Sequence, residues 1–156
     1  MEKLTKTVEY SLTAKKMEFK NIKIASSKDA ADFARNFYFG DIDVFESVFL
    51  IFLNNANQTT GYAKISQGGL KSTVVDPQII GKFTLDSLAS GVIMVHNHPS
   101  GNAAPSREDD LMTKRISLVV QLAGSRLLDH IIITSSGYYS YADEGRTELN
   151  ATLRYE

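Results

Sequence analysis

The chain has 156 residues, of which 43% are hydrophobic and 22% are charged, and its formal net charge is −1. This length and composition predict one globular domain over residues 1–156, and the near-neutral charge gives no general attraction to nucleic acid. The absence of cysteine excludes disulfide bonds, thiolate metal ligands and a cysteine nucleophile. Apolar runs stay well below the roughly 18 residues that cross a membrane, and no secretion signal opens the sequence, so we expect a cytoplasmic protein.

The first 40 residues or so predict an N-terminal extension of two strands and a helix. Apolar and polar residues alternate over residues 8–12 and, less strictly, over 19–24, which indicates two strands. Ser26 and Ser27 can cap a helix over residues 28–38, because a serine side chain accepts hydrogen bonds from the first backbone N–H groups of a helix.

The middle of the chain predicts a strand pair followed by a helix. Residues 45–53 form an apolar run rich in aromatic and branched side chains, which is typical of a strand covered on both faces. Residues 59–66 predict its antiparallel return strand. Asp76 and Pro77 are a typical N-cap and first helical residue, and we expect their helix to reach about residue 89.

The C-terminal part predicts a short strand, the longest helix and two further strands. Residues 91–96 predict a central apolar strand, and the helix extends over about residues 106–123. Residues 127–134 predict an apolar strand interrupted by an Asp-His pair, and residues 137–141 predict the last strand. This order of elements predicts an α/β fold, a three-layer α/β/α sandwich around a mixed sheet.

Two of the three histidines lie where the strand over residues 91–96 ends. His96 and His98 are two residues apart, so both imidazoles can face the same side and bind one metal ion. Asp109 lies in the first turn of the next helix and can return beside the strand end as a third ligand. Two histidines and one carboxylate, with water in a fourth position, are typical of a catalytic zinc site, although these ligands also suit other divalent metals.

Hydrolysis at such a site also needs a general base and a donor for the oxyanion. Ser106 is placed for donation, but it is also a natural N-cap in a capping box with Asp109. Glu46 is the candidate base, since a carboxylate that opens an apolar strand is costly to bury unless it is used. Its structural alternative is an ordinary charge at a strand edge. The sequence physics alone does not bring Glu46 near His96.

The Asp129-His130 pair has two interpretations. The pair could support the metal site, with the carboxylate orienting an imidazole. It could equally consist of strand-end polar residues that pair with loop backbone. The residues themselves leave both interpretations open.

These motifs resemble the signature of the JAB/MPN metalloenzymes, the JAMM motif. That signature is an upstream Glu, then His-x-His, seven residues, Ser, two residues and Asp; here His96-x-His98 is followed by seven residues, Ser106, two residues and Asp109. The chain is more narrowly similar to the bacterial RadC-like branch. The segments that carry this similarity are 49–53, 96–101, 105–109 and 128–130, and the resemblance covers about residues 45–142.

The resemblance implies a cytidine-deaminase-like α/β/α fold with zinc held by His96, His98 and Asp109. It also implies that Glu46 is the catalytic general acid/base and that Ser106 stabilises the tetrahedral intermediate. Characterised relatives with this motif cleave peptide or isopeptide bonds. The RadC-like branch carries a DNA-repair label, which identifies no substrate.

Two departures from the branch bear on substrate and partners. Longer RadC-like proteins begin with a helix-hairpin-helix region suited to DNA, whereas residues 1–39 here predict two strands and a helix. Relatives often have His-Pro-Arg before the middle helix, where this chain has Asp76-Pro77-Gln78. A basic contact is thus replaced, and we expect a different choice of substrate or partner.

We therefore predict a zinc-dependent metallopeptidase or isopeptidase that takes a peptide or isopeptide substrate. The first alternative is a non-catalytic metal-binding module in a DNA-repair or mobile-element complex, which the near-neutral charge does not support. The second is the same metal chemistry on a nucleobase or small amide. Because cysteine is absent, the usual nucleoside-deaminase zinc site is excluded.

Overall fold

The computed structural model describes residues 14–15, 20–38, 40–68 and 74–152. Within these residues three helices and five strands build the fold, and a short 3-10 helix follows them. In chain order they are α1 (Ser27–Arg35), β1 (Ser47–Leu53), β2 (Thr59–Gln67), α2 (Pro77–Ser87), β3 (Gly91–Asn97), α3 (Arg107–Leu122), β4 (Leu127–Ile133), β5 (Tyr138–Ser140) and the 3-10 helix (Thr147–Asn150).

The five strands form one mixed sheet in the order β2-β1-β3-β4-β5. β3 and β4 are parallel, and the other neighbouring pairs are antiparallel. α3 makes the crossover between the two parallel strands. β1 and β3 lie inside the sheet and are buried at every position, as the apolar sequence predicts for strands covered on both faces.

The sheet lies between two helical layers, because alternate side chains of its strands enter two separate cores. Leu50 and Met94 pack with Ile80 of α2 and Ile116 of α3 on one face. On the other face α1 covers a second core. That core includes Ala31 and Phe33 of α1 and the strand residues Phe49, Ile51, Ile93, Val95, Ile131 and Ile133. The predicted three-layer α/β/α sandwich is confirmed.

Local side-chain chemistry sets where the helices begin. Ser26 forms a capping box with Asp29 in the first turn of α1, and Ser106 forms one with Asp109 in the first turn of α3. Asp76 accepts the backbone N–H of Gln78 at the start of α2, whose first residue is a proline. These helix starts agree with the sequence to within one residue.

Two predicted helix ends and one predicted strand interruption differ from the structure. The first helix ends at Arg35 rather than residue 38, because the N–H groups of Phe37 and Tyr38 bond three residues back, in turns. The second ends at Ser87, where Leu88 takes a left-handed conformation with φ 50°. β4 is continuous through Asp129 and His130, whose buried polar groups have hydrogen-bond partners inside the protein.

The two predicted N-terminal strands fare differently. The strand over residues 8–12 lies outside the described residues, as does residue 19. Over residues 20–24 the structure has a single antiparallel bridge, from Lys23 to Gln58, instead of a strand. The partner segment here is the turn between β1 and β2, where Asn57 has φ 57°, and a turn offers no extended edge for a longer ladder. That residues 1–156 form one domain stays a prediction.

None of the described helices has both the length and the apolar composition that a membrane span requires.

Candidate metal centre

The side chains of His96, His98 and Asp109 converge at the end of β3. The Nε2 atoms of the two histidines are 2.9 Å apart. Asp109 Oδ1 lies 3.2 Å from His96 Nε2, and its Oδ2 lies 3.3 Å from His98 Nε2. One ligand atom from each residue therefore falls within 4.8 Å of the other two.

Secondary structure positions all three side chains. His96 lies in β3 and His98 one residue beyond its end, so that the two point to the same side of the sheet. The capping box orients Asp109, because its Oδ2 accepts the Ser106 N–H at 2.7 Å while Ser106 Oγ accepts the Asp109 N–H at 3.1 Å. The predicted cap and the predicted ligand are thus parts of one arrangement.

The donor set fits a divalent metal such as zinc. Zinc holds nitrogen and oxygen ligands at about 2.0–2.2 Å, so that two ligands of a tetrahedral site lie roughly 3.3–3.6 Å apart. The two contacts of Asp109 are at or just below this separation, and the histidine pair is a few tenths of an ångström closer. The His98 tautomer also fits, because Nδ1 must donate to the carbonyl oxygen of Asn102, 2.7 Å away, leaving the Nε2 lone pair for a metal.

Charge and exposure further distinguish the three residues. Burial alone would raise the pKa of Asp109, but its contacts with the imidazoles of His96 and His98 outweigh burial and hold the pKa well below its usual range. The hydrogen bond to Asp109 raises the pKa of His98, against the effect of burial. The His96 side chain is 0% exposed and that of His98 16%, so the cluster opens to solvent on the His98 side, as a catalytic site requires.

A groove of about 860 Å³ lies on that open side. Glu46 and Ser106 line it together with His98 and Asp109, so the fold brings both predicted catalytic residues to the same groove as two of the predicted ligands. The register of β1 with β3 explains the approach of Glu46, because Val48 is the partner of His96. The apolar part of the groove wall contains Val74, Val75, Leu111, Met112 and Ile116, and Arg115 also lines it.

Asn97, between the two histidines, holds the segment that carries Glu46. This side chain is fully buried, and its Oδ1 accepts the Ser47 N–H at 2.8 Å. Its Nδ2 donates to the carbonyl oxygens of Ile42 and Phe45 at 2.6 and 2.8 Å. Asn97 was not among the residues predicted from the sequence, where the one signal for its role is a strongly polar residue inside the end of a buried strand.

The structure supports a different interpretation for each residue of the Asp129-His130 pair. His130 contacts the cluster, since its Nε2 lies 2.7 Å from His96 Nδ1, and burial lowers its pKa well below the ordinary value. Asp129 does not orient that imidazole. Its carboxylate instead accepts hydrogen bonds from Ser140 Oγ and the Ala142 N–H, and so holds the turn after β5. Burial raises the pKa of Asp129 despite these bonds.

A mixed sheet between helical layers, with a His-His-Asp cluster where a central strand meets the next helix, is the architecture of a JAB/MPN-type domain. Comparison with known proteins narrows this class. A family model described as RadC-like JAB domain matches residues 24–146. The chain belongs to this family.

Curated relatives carry the name UPF0758 protein. The one from Flavobacterium johnsoniae is 41% identical over 123 residues, covering 79% of this chain and 53% of that protein. The one from Staphylococcus carnosus is 37% identical over 126 residues, covering 80% and 54%, and that from Streptococcus sanguinis 39% identical over 99 residues, covering 64% and 44%. The chain thus spans about half the length of the curated relatives it matches.

Proposed function

We propose that this protein is a zinc-dependent hydrolase of peptide or isopeptide bonds. The observation that carries the proposal is the convergence of His96, His98 and Asp109 within 4.8 Å, beside a groove that Glu46 also lines. Three protein ligands with one open side are the arrangement of catalytic zinc sites, whereas structural sites are closed by four.

Glu46 and Ser106 each have a role in this proposal. A bound zinc ion supplies Lewis acidity, which lowers the pKa of water and polarises a carbonyl. Glu46 accepts the proton of the attacking water and returns it to the leaving amine. Ser106 donates its O–H to the developing oxyanion; its oxygen accepts the Asp109 N–H, which leaves the hydroxyl proton available.

The shape and composition of the groove support a chain-like substrate. Its volume of about 860 Å³ is within the range of ligand sites. Leu111 and Met112 extend the apolar wall along α3, away from Asp109. An extended peptide can therefore place apolar side chains on this wall while its scissile carbonyl lies beside the metal.

The test is a screen of peptide and isopeptide substrates with the zinc-loaded protein and its Glu46→Gln variant. We expect cleavage by the wild type and a loss of about 10²–10⁴-fold in kcat in the variant, the usual contribution of a general acid/base. Zinc content should be the same in both, because Glu46 is outside the ligand set. Full activity of Glu46→Gln would contradict the assigned mechanism.

The competing function is a metal-binding module without turnover in a DNA-repair or mobile-element complex. Salt-sensitive binding of duplex DNA by the zinc-loaded protein, with no hydrolysis of any substrate in the screen, would favour it. The net charge of −1 argues against strong DNA binding by this chain alone.

A further inference from the structure

The third histidine, His130, is completely buried behind the cluster of His96, His98 and Asp109. Its Nε2 faces His96 Nδ1 at 2.7 Å, and its Nδ1 faces Thr113 Oγ1 at 2.6 Å. The Thr113 hydroxyl also lies 2.6 Å from the backbone carbonyl oxygen of Asp109. His130 therefore belongs to a hydrogen-bonded chain that leads from one ligand, His96, to the backbone of another, Asp109.

The proton positions along this chain follow from its far end. The Asp109 carbonyl oxygen can only accept, so the single hydroxyl proton of Thr113 points to it. Thr113 Oγ1 must then accept from His130, whose Nδ1 carries the proton. A fully buried imidazole without a carboxylate partner is neutral, because an uncompensated buried charge is costly, and its Nε2 is consequently an acceptor.

The direction of these hydrogen bonds determines the tautomer of His96. With His130 Nε2 as acceptor, the proton of His96 is on Nδ1, and the His96 Nε2 lone pair points into the cluster. These hydrogen bonds therefore select the one neutral tautomer of His96 in which Nε2 can bind a metal.

Packing holds His130 in this orientation. The Tyr141 ring stacks on the imidazole, with ring centroids 4.7 Å apart and planes inclined by 17°. The Tyr141 hydroxyl donates to Asp110 on α3 at 2.8 Å, and Arg146 pairs with the same carboxylate at 2.6 Å. Stacking and hydrogen bonds together leave the His130 ring little freedom to rotate.

We infer that His130 and Thr113 are positioning residues of the metal centre, which fix the tautomer and orientation of His96 and tie it to the backbone of Asp109. This inference rests on the metal site of the proposed function and deepens it. It assigns to His130 no contact with metal or substrate.

The first test measures zinc affinity by competition with a chromophoric chelator. His130→Leu removes the acceptor, and we expect zinc to bind about 10- to 100-fold more weakly, the usual cost of losing a hydrogen-bond partner of a ligand. His130→Gln can still accept from His96 and should recover much of that loss. Thr113→Val keeps the shape of the side chain and should weaken binding by about tenfold.

Two control variants separate this role from general stability. Ser117 lies one turn beyond Thr113 and donates to the Leu149 carbonyl oxygen at 2.6 Å, so Ser117→Ala removes a comparable buried hydroxyl. Asp129→Asn alters the residue beside His130 without touching the imidazole. Both should lower the free energy of unfolding and leave zinc affinity unchanged. Equal zinc affinity of wild type, His130→Leu and Thr113→Val would overturn the inference and leave the proposed function standing.

The second test needs no variant. Nitrogen-15 NMR of the histidine rings in the wild-type protein should find protons on Nδ1 of His96 and of His130. A proton on His130 Nε2 would mean that His130 donates to His96, and this opposite direction of hydrogen bonding would overturn the inference. Absence of zinc binding by the wild type would overturn both the inference and the proposed function.

Discussion

The two halves of the candidate site are held in different ways. The ligand half consists of the end of β3 and the first turn of α3, where the His96 and Asp109 side chains are 0% and 9% exposed and contact each other. The general-base half is the segment before β1 that carries Glu46, and Asn97 joins it to β3 from within the sheet. One half is an internal network, and the other is a surface segment anchored by a buried amide.

This difference implies that metal binding and turnover can be separated. Substitution of the residues behind the ligands, His130 and Thr113, should alter metal affinity, because hydrogen bonds connect them to His96 and Asp109. Changes around Glu46 or on the groove wall should leave the metal in place and reduce turnover.

Removal of two ligands should abolish metal binding. We expect about one zinc ion per chain in the wild type and almost none in the double variant His96→Ala/His98→Ala, because one carboxylate is too few ligands for zinc. Elemental analysis of protein purified without added metal measures this directly. The control is Asp129→Asn, which should retain zinc. Wild-type zinc content in the double variant would show that the ligand half lies elsewhere.

Ser106→Ala should separate the catalytic role of this serine from its role as a cap. The variant loses the cap, at a cost of about 1 kcal/mol, and kcat should fall by about 10²–10³-fold if the hydroxyl stabilises the oxyanion. Zinc should remain, because the backbone N–H of residue 106 still bonds to Asp109 Oδ2.

Ser26→Ala is the matched control, since Ser26 caps α1 in the same type of capping box. Its loss of stability should be similar and its kcat that of the wild type. If the two variants differ in neither stability nor kcat, Ser106 is a cap only.

Asn97→Ala should impair turnover without loss of metal. It leaves the Ser47 N–H and the carbonyl oxygens of Ile42 and Phe45 without this partner, at roughly 1–3 kcal/mol for each group that stays unsatisfied. Displacement of Glu46 should lower kcat by about 10²-fold. Chemical denaturation, zinc analysis and kcat of the same preparation test all three effects.

The comparison variant for Asn97 is Asn54→Ala. Asn54 lies beyond the other end of β1, and its Oδ1 accepts the N–H groups of Ala56 and Gln58. This variant should lose stability while keeping its kcat. A normal kcat in Asn97→Ala would mean that the general-base half does not depend on this amide.

Leu111→Ser should have the smallest effect, confined to substrate binding. Loss of one apolar contact of about 1.4 kcal/mol raises KM by about tenfold at most and leaves kcat nearly unchanged. Leu122 is the control, because it is exposed on the same helix but is not part of the groove wall. Equal KM values for Leu111→Ser and Leu122→Ser would exclude this wall from the substrate site.

Much of the fold follows from local patterns. The apolar runs predict β1 and β3, and the cap residues Ser26, Asp76 and Ser106 predict the helix starts. Helix ends were less predictable. After Arg35 the backbone N–H groups bond three residues back, as in turns, and no residue type in this segment predicts that change. The expected strand over residues 19–24 reduces to one bridge within 20–24, since its partner is a turn.

The convergence of His96, His98 and Asp109 was predictable for a local reason. His96 and His98 share a side of one strand, and Asp109 follows a serine cap that turns its carboxylate back toward them. Neighbours in the chain thus determine most of this geometry. His130 and Asn97 were not predictable in the same way, because their partners are distant in sequence.

Local sequence patterns are enough to predict the helix starts, the central strands and the His-x-His to Asp spacing, because periodicity and capping act between near neighbours. The place of Glu46 in the groove beside His98 and Asp109, and that of His130 behind His96, follow only from the tertiary structure. Both positions depend on strand register, which pairs Val48 with His96 and Met94 with His130. His96 and His130 are 34 residues apart, and register over such a distance is set by the packing of the whole sheet.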